Sequence, residues 1–324
     1  MSVAGSIRVL PHRAMRGFFI GLSHRRSIGR AAVRSPVARS VVSRFVAGET
    51  LEAALPALEA LRQAGLRTTA DVLGESVTSS DLAAAAADRY VATLSALAKR
   101  GLDVNVSLKL SQMGLEIGPE VCRGNVMRIL DAARKADGFV RFDMEDHTRT
   151  DATLDIWQGA HEAYSRTGVV IQSALRRSEA DVERVLAAGG NVRLCKGAYD
   201  EPGSVAFQEK REVDASYARL MERLLASGTY HALATHDARL IARARAFAER
   251  EGIGSDRFEF QMLYGVRRDL QRKLVDRGYT VRVYVPFGRE WYPYFMRRLA
   301  ERPANVGFML KAIAKEEGRR LRRH

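Results

Sequence analysis

From Gly48 onward, short β-branched apolar runs alternate with longer Ala/Leu/Arg segments whose apolar positions repeat at the helical period. The pattern predicts strands at Arg67–Leu73, Val104–Leu110, Phe139–Met144, Val169–Gln172, Val192–Lys196, Ala232–His236, Phe258–Met262 and Val281–Val285. It predicts helices between them, at Asp81–Lys99, Val121–Ala136, Thr150–Tyr164, Glu179–Ala188, Glu209–Ala226, Asp237–Glu251 and Arg267–Arg277. Strands joined by helical crossovers of this length form a parallel sheet. Eight such units, with no Gly-rich dinucleotide turn after the first strand, favour an α/β fold of the closed (β/α)8 barrel type over a doubly wound sheet. The stretch before Arg67 is expected to add helices packed outside the barrel. The chain then divides into a basic N-terminal helical arm over residues 1–66, a catalytic barrel over 67–310 and a basic tail over 311–324.

Composition narrows the classes. The 324 residues are 46% hydrophobic, enough for a full core, so global disorder is excluded. Two cysteines, Cys122 and Cys195, make no disulfide scaffold, and no CxxC or CxxH spacing offers a zinc site, so no metal is expected. No run approaches the roughly 18 apolar residues of a membrane span. A soluble protein of a reducing, cytoplasmic compartment is expected. The net charge of +14 is unevenly placed, because residues 1–48 carry nine arginines, from Arg8 to Arg44, and no acid. The remainder is only mildly basic and carries no helix-turn-helix, finger or aromatic-basic RNA signature, so no nucleic-acid partner is expected. The arm suits an amphipathic contact with an anionic membrane at its inner face, a solvated helical face, or an organellar transit peptide.

Unusual polar residues gather at the carboxyl ends of the expected strands: Glu75, Lys109, Asp143 with Glu145 and Asp146, Gln172, Arg193 with Lys196, Thr235 with His236 and Asp237, Gln261, and Tyr284. In a (β/α)8 barrel those ends converge on the rim where active sites lie. Lys109, within VSLKLS, reads as a Schiff-base nucleophile, as a fixed cation for a carboxylate, or as an ion-pair partner of Asp143. His236 in ATHD has no second histidine at ligand spacing, so a hydrogen-bonding role is favoured over a metal. Cys195 reads as a packing residue. After the last strand, YVPFGREWYPYFMRRLAERP places Arg297 beside Arg298 on a helix, with Glu301 one turn on. Two guanidiniums beside Lys109 would clamp a carboxylate bidentately; a plain i,i+4 ion pair of Arg297 with Glu301 is the simpler alternative.

In order, VSLKLSQMGLE, VRFDMED, GVVIQSALRR, VRLCKGAYDEP, ALATHD, FEFQMLYGVR and VRVYVPFGREWYPYFMRRLAERP resemble the sequence blocks of bacterial monofunctional proline dehydrogenases, as does RFVAGETLEAAL near the start. The resemblance runs from about Arg44 to Leu310, and its specificity lies in the combination of blocks. It implies a distorted barrel with non-covalent FAD that oxidises L-proline to 1-pyrroline-5-carboxylate and passes electrons to a membrane quinone. It implies that Lys109, Arg297 and Arg298 hold the proline carboxylate, and that Asp143 and Arg193 are active-site residues, with Arg193 close to flavin N5. Met144, Gln172, Lys196, Gly197, Ala198, Thr235 and His236 match flavin-contacting positions. Tyr199, Tyr284, Leu263 and Glu301 match residues that line or support the proline pocket. Two departures stand out: Cys195 replaces a commoner aliphatic residue, and His147 a smaller polar one. A lysine-dependent barrel aldolase acting through Lys109 and a basic-arm nucleic-acid or membrane binder are the competing readings.

Overall fold

A computed structural model describes residues 42–74 and 76–301, with the side chains from Arg297 onward left out. All eight expected strands form and close into one parallel barrel in the order β1 to β8. They are β1 (Arg67–Val72), β2 (Asn105–Leu108), β3 (Phe139–Phe142), β4 (Thr167–Gln172), β5 (Asn191–Cys195), β6 (His231–Ala234), β7 (Phe258–Leu263) and β8 (Thr280–Phe287). The β1–β8 pairing from Arg67↔Arg282 to Val72↔Phe287 completes the ring.

Helix α1 (Leu51–Gln63) precedes β1. Helices α2 (Ser80–Lys99), α3 (Pro119–Lys135), α4 (Thr150–Ala163), α5 (Ser178–Ala187), α6 (Lys210–Leu225), α7 (Ala238–Arg250) and α8 (Arg268–Val275) fill the crossovers. Their starts are locally encoded. Thr50 and Ser79 accept hydrogen bonds from Ala53 N and Leu82 N, and Glu209 and Glu212 form a reciprocal capping box at α6. A last helix, α9 (Trp291–Glu301), follows β8.

By its internal contacts the chain divides into residues 47–288 and residues 1–46 with 289–324. Helix α1 therefore belongs to the barrel unit, whereas the sequence drew that boundary at residue 66. Within the second unit, Phe45 packs on Phe295 at 6.2 Å and Trp291 on Phe295 at 6.1 Å between ring centroids.

The strand faces decide where chemistry can occur. Val106, Leu108, Val140, Phe142, Val192, Leu194, Phe258, Phe260, Val281, Val283 and Val285 are buried in the apolar core. The alternate residues face the barrel interior, and many are polar: Thr69, Asp71, Ser107, Arg141, Arg193, Glu259, Gln261 and Arg282. Period-2 alternation is the rule for a sheet whose two faces see different surroundings. Three residues expected at strand ends are corrected by this arrangement. Arg193, Gln261 and Tyr284 lie inside β5, β7 and β8 rather than at their carboxyl ends, and Arg193 and Tyr284 enter the site from inside the barrel. Gln261 accordingly donates to Glu259 below it rather than reaching the rim.

Candidate active site

The carboxyl ends of β1, β2 and β3, with the interior of β5 and β8, bring five ionisable side chains together. Lys109, directly after β2, has its Nζ 3.2 Å from Asp71 Oδ1, 3.3 Å from Tyr284 Oη and 3.5 Å from Asp143 Oδ2. Asp143, directly after β3, is held harder by other donors. Arg193 Nη1 donates to its Oδ1 at 2.7 Å, and the Tyr284 hydroxyl donates to its Oδ2 at 2.7 Å. Arg193 Nη2 also donates to Ser107 Oγ at 2.9 Å, and the guanidinium lies 5.3 Å from the Tyr284 ring centroid. The result is a continuous chain, Lys109 to Tyr284 to Asp143 to Arg193, crossing the barrel mouth.

Burial by itself would lower the Lys109 pKa, but Asp71 and then Asp143 overcome it and hold the group above the ordinary lysine range. Burial pushes Tyr284 well up, with Asp143 and Asp71 adding to it, so the phenol stays protonated and donates. An ammonium pinned between two carboxylates is no nucleophile, which removes the support for a Schiff-base reading of Lys109. It is well suited to hold an anion.

A second polar arc lies on β4 to β6. Gln172, the last residue of β4, donates from Nε2 to Glu145 O at 2.9 Å. Gly197 has φ +109°, and a Cβ there would stand 3.2 Å from Ala174 Cβ and 3.4 Å from Gln172 Oε1, so a bare backbone faces this corner. Lys196 donates to Asp214 at 2.6 Å and Asp237 at 3.2 Å, which among the described residues leaves one of its three N–H donors over. Thr235 accepts from Asp237 N, and His236 Nε2 accepts from Leu263 N at 3.0 Å, tying β6 to the end of β7. That bond engages His236 as a hydrogen-bond acceptor. Among the described residues no group of three or more His, Cys, Asp or Glu is placed to hold a metal. Cys195 packs at the edge of the core.

The loop after β5 carries Ala198 and Tyr199, the latter 39% exposed. Glu201 accepts from His147 N at 2.9 Å and pairs with the His147 ring, and Phe207 N donates to Ala174 O at 2.8 Å. His147, one of the two departures noted in the sequence, thus anchors this loop.

A model of the family described as proline dehydrogenase matches residues 54–311. The chain belongs to the proline dehydrogenase family of oxidoreductases. It is 38% identical over 301 residues to Proline dehydrogenase 2 of Bacillus subtilis, covering 93% of this chain and 99% of that one. It is 42% identical over 281 residues to Proline dehydrogenase of Deinococcus radiodurans, covering 85% and 91%. Among solved structures, proline utilization A from Bdellovibrio bacteriovorus, inactivated by N-propargylglycine, superposes with a TM-score of 0.76 at 26% identity. That match covers 81% of this chain and 32% of the longer protein, and confirms the barrel.

Of the family positions carried over from sequence, Lys109, Asp143, Arg193 and Tyr284 meet directly. Met144 is buried beside Asp143, and Leu263 is held by His236. Arg297, Arg298 and Glu301 lie on α9, and their side chains fall outside the described residues, as does Glu75. Sequence reasoning missed Asp71, Ser107 and the Glu145 clamp, in which Glu145 accepts from Ser111 N at 2.9 Å and Ser111 Oγ at 2.6 Å. The available signal for Asp71 was an acid inside the otherwise uncharged run TTADVL that follows Arg67.

Proposed function

We propose that this chain oxidises L-proline to 1-pyrroline-5-carboxylate with non-covalent FAD, as the first step of proline degradation, and that a quinone takes the electrons onward. The observation that carries the reading is the half-buried Lys109–Tyr284–Asp143–Arg193 chain in a barrel mouth of this family.

The donor set fits a flavin. Arg193 Nε is buried with no hydrogen-bond partner among the described residues, Gln172 and Lys196 present polar ends at the close of β4 and directly after β5, and Gly197 leaves room for a close planar approach. Arg193, Met144, Gln172, Lys196, Gly197, Ala198, Thr235 and His236 would hold it. Bound FAD supplies the acceptor for the hydride that leaves the ring carbon next to nitrogen.

The chain's own residues do the rest. Lys109, with Arg297 and Arg298, binds the carboxylate, and Leu263 and Tyr199 border the apolar ring. Tyr284 and Arg193 fix Asp143 from both sides, so the wall of the pocket is set before substrate arrives. The Lys109 and Arg193 cations lower the pKa of a bound secondary ammonium, favouring the neutral amine from which a C=N bond can form. Steady-state formation of the cyclic imine from L-proline, followed by mass spectrometry with a soluble dye as acceptor, tests the reading. A protein loaded with FAD that forms no imine refutes it.

A quinone acceptor dissolved in lipid implies a visit to a membrane surface. The arginine-rich arm, with Phe18, Phe19, Ile20 and Leu22 beside its cations, supports that reading, since each basic residue near an anionic leaflet contributes about 1 kcal/mol. All of the arm before Val42 lies outside the described residues, and among the described residues no helix is long and apolar enough to cross a membrane. Salt-sensitive co-sedimentation with anionic vesicles by the full chain, lost on truncation to Arg44, is the expected result. Equal sedimentation of both forms would contradict it.

A further inference from the structure

The Asp71 side chain is sealed inside the barrel at 1% exposure, on β1, in register with Ser107 of β2 and Pro286 of β8. Its Oδ1 meets Lys109 Nζ at 3.2 Å, and its Oδ2 is buried without a hydrogen-bond partner among the described residues. Asp143, by contrast, is engaged at both oxygens by donors at 2.7 Å and meets Lys109 only at 3.5 Å.

An ammonium has three N–H donors. Asp71, Tyr284 and Asp143 take all three in the arrangement described here. A substrate carboxylate can reach Lys109 only if one contact yields, and the Asp143 contact is the longest and the most replaceable. Asp71 has no other cation within ion-pairing distance among the described residues, and of the three groups around Lys109 it makes the shortest contact.

We propose that Asp71 is a positioning residue: it holds the Lys109 ammonium in place and charged while the contact to Asp143 gives way to the substrate carboxylate. The assignment rests on the proline reading above. Each group facing Lys109 has a defined effect. Asp71 from β1, Asp143 and Glu145 from the end of β3, and Tyr199 from the loop after β5 all favour its charge, Asp71 the most, while burial opposes it. Tyr284 of β8 contributes an oxygen, and Arg193 of β5 stands beyond Asp143. Without Asp71, burial has less to oppose it, and Lys109 loses its proton at a lower pH.

The test uses the flavin-loaded full chain and cyclopentanecarboxylate, a ring carboxylate with no titratable nitrogen, with binding measured by calorimetry from pH 7.5 to 10. The wild type is expected to lose less than about threefold in affinity over that range. Asp71→Asn is expected to lose about tenfold or more, equivalent to a shift of the alkaline limb by at least about one pH unit. Asp71→Glu, which restores the charge, is expected to recover most of the wild-type profile, a rescue that a purely space-filling role would not produce. Asp71→Ser repeats the measurement in a smaller side chain should the amide pack badly. A wild-type limb in both neutral variants overturns the assignment and leaves the proline reading intact. A wild type that binds no carboxylate at pH 7.5 overturns both.

Discussion

The Tyr284 hydroxyl donates to Asp143 Oδ2 at 2.7 Å while its oxygen accepts from Lys109 Nζ at 3.3 Å. One phenol thus joins the anion of β3 to the cation of β2. It also keeps Lys109 from closing fully on Asp143, where a tight pair would compete with a substrate carboxylate. Removing the hydroxyl deprives a buried carboxylate of a donor, and hydrogen bonds to charged groups contribute about 1.5–3 kcal/mol. Tyr284→Phe is expected to lower kcat/KM for proline by about tenfold or more, with the fold intact by circular dichroism. Unchanged kinetics would remove Tyr284 from the machinery.

The paired arginines of α9 extend the same logic to the substrate. If Arg297 and Arg298 hold the carboxylate, Arg297→Met and Arg298→Met each lose one partner of a desolvated charge pair, about 2–5 kcal/mol. Proline affinity is then expected to fall by roughly 30-fold or more while flavin content stays at the wild-type level. Wild-type affinity in both variants would assign the carboxylate to Lys109 alone.

Stability should depend on pH through His231, which is buried on the outer face of β6. Val192 N donates to its Nδ1 at 3.1 Å, and Ser227 Oγ lies 2.9 Å from its Nε2, an arrangement that suits the neutral ring. Burial, with Arg141 and Arg223 adding to it, pushes its pKa down to about 4. Between its unfolded value near 6.5 and about 4 the unfolded chain binds the extra proton, so this contribution is complete above about pH 6.5 and declines as pH falls. Its full size is about 3 kcal/mol. Urea unfolding at pH 7 and pH 5 should show the decline in the wild type and a shallower one in His231→Gln; identical slopes would contradict it.

Gly190 stands where α5 turns into β5, and a Cβ there would lie 2.4 Å from Trp157 Cζ2 and 2.8 Å from Val185 Cγ1. Trp157 is fully buried and stacked on His161 at 5.2 Å, so it cannot step aside cheaply. Gly190→Ala is expected to destabilise by about 1–3 kcal/mol through overpacking, visible as a lowered Tm. A Tm at or above the wild-type value would show that the tryptophan has room to move.

The barrel was legible because eight β-branched runs are separated by segments of helical period; the two-faced alternation of FVRF, FEFQ and TVRVYV, apolar toward the helices and polar toward the interior, emerged with the structure. Strand ends were readable to within a few residues, and with them Lys109, Asp143, Gln172 and Lys196. Depth within the barrel was not. Arg193, Gln261 and Tyr284 looked like rim residues because a sequence shows where a strand stops but not how the tilted neighbours are staggered against it. Asp71 escaped for the same reason: only the β1–β2 and β1–β8 registers bring it to Lys109. The Arg297–Arg298 pair was visible as a motif, while the direction in which a helix presents two adjacent side chains depends on docking that spacing does not encode.

If this barrel mouth oxidises proline with a flavin, anaerobic titration of the purified full chain with L-proline reduces the flavin directly. The expected result is a yellow protein that releases FAD on denaturation and whose visible absorbance bleaches on adding L-proline. A protein that stays colourless after incubation with FAD, or whose flavin spectrum L-proline leaves unchanged, would contradict it.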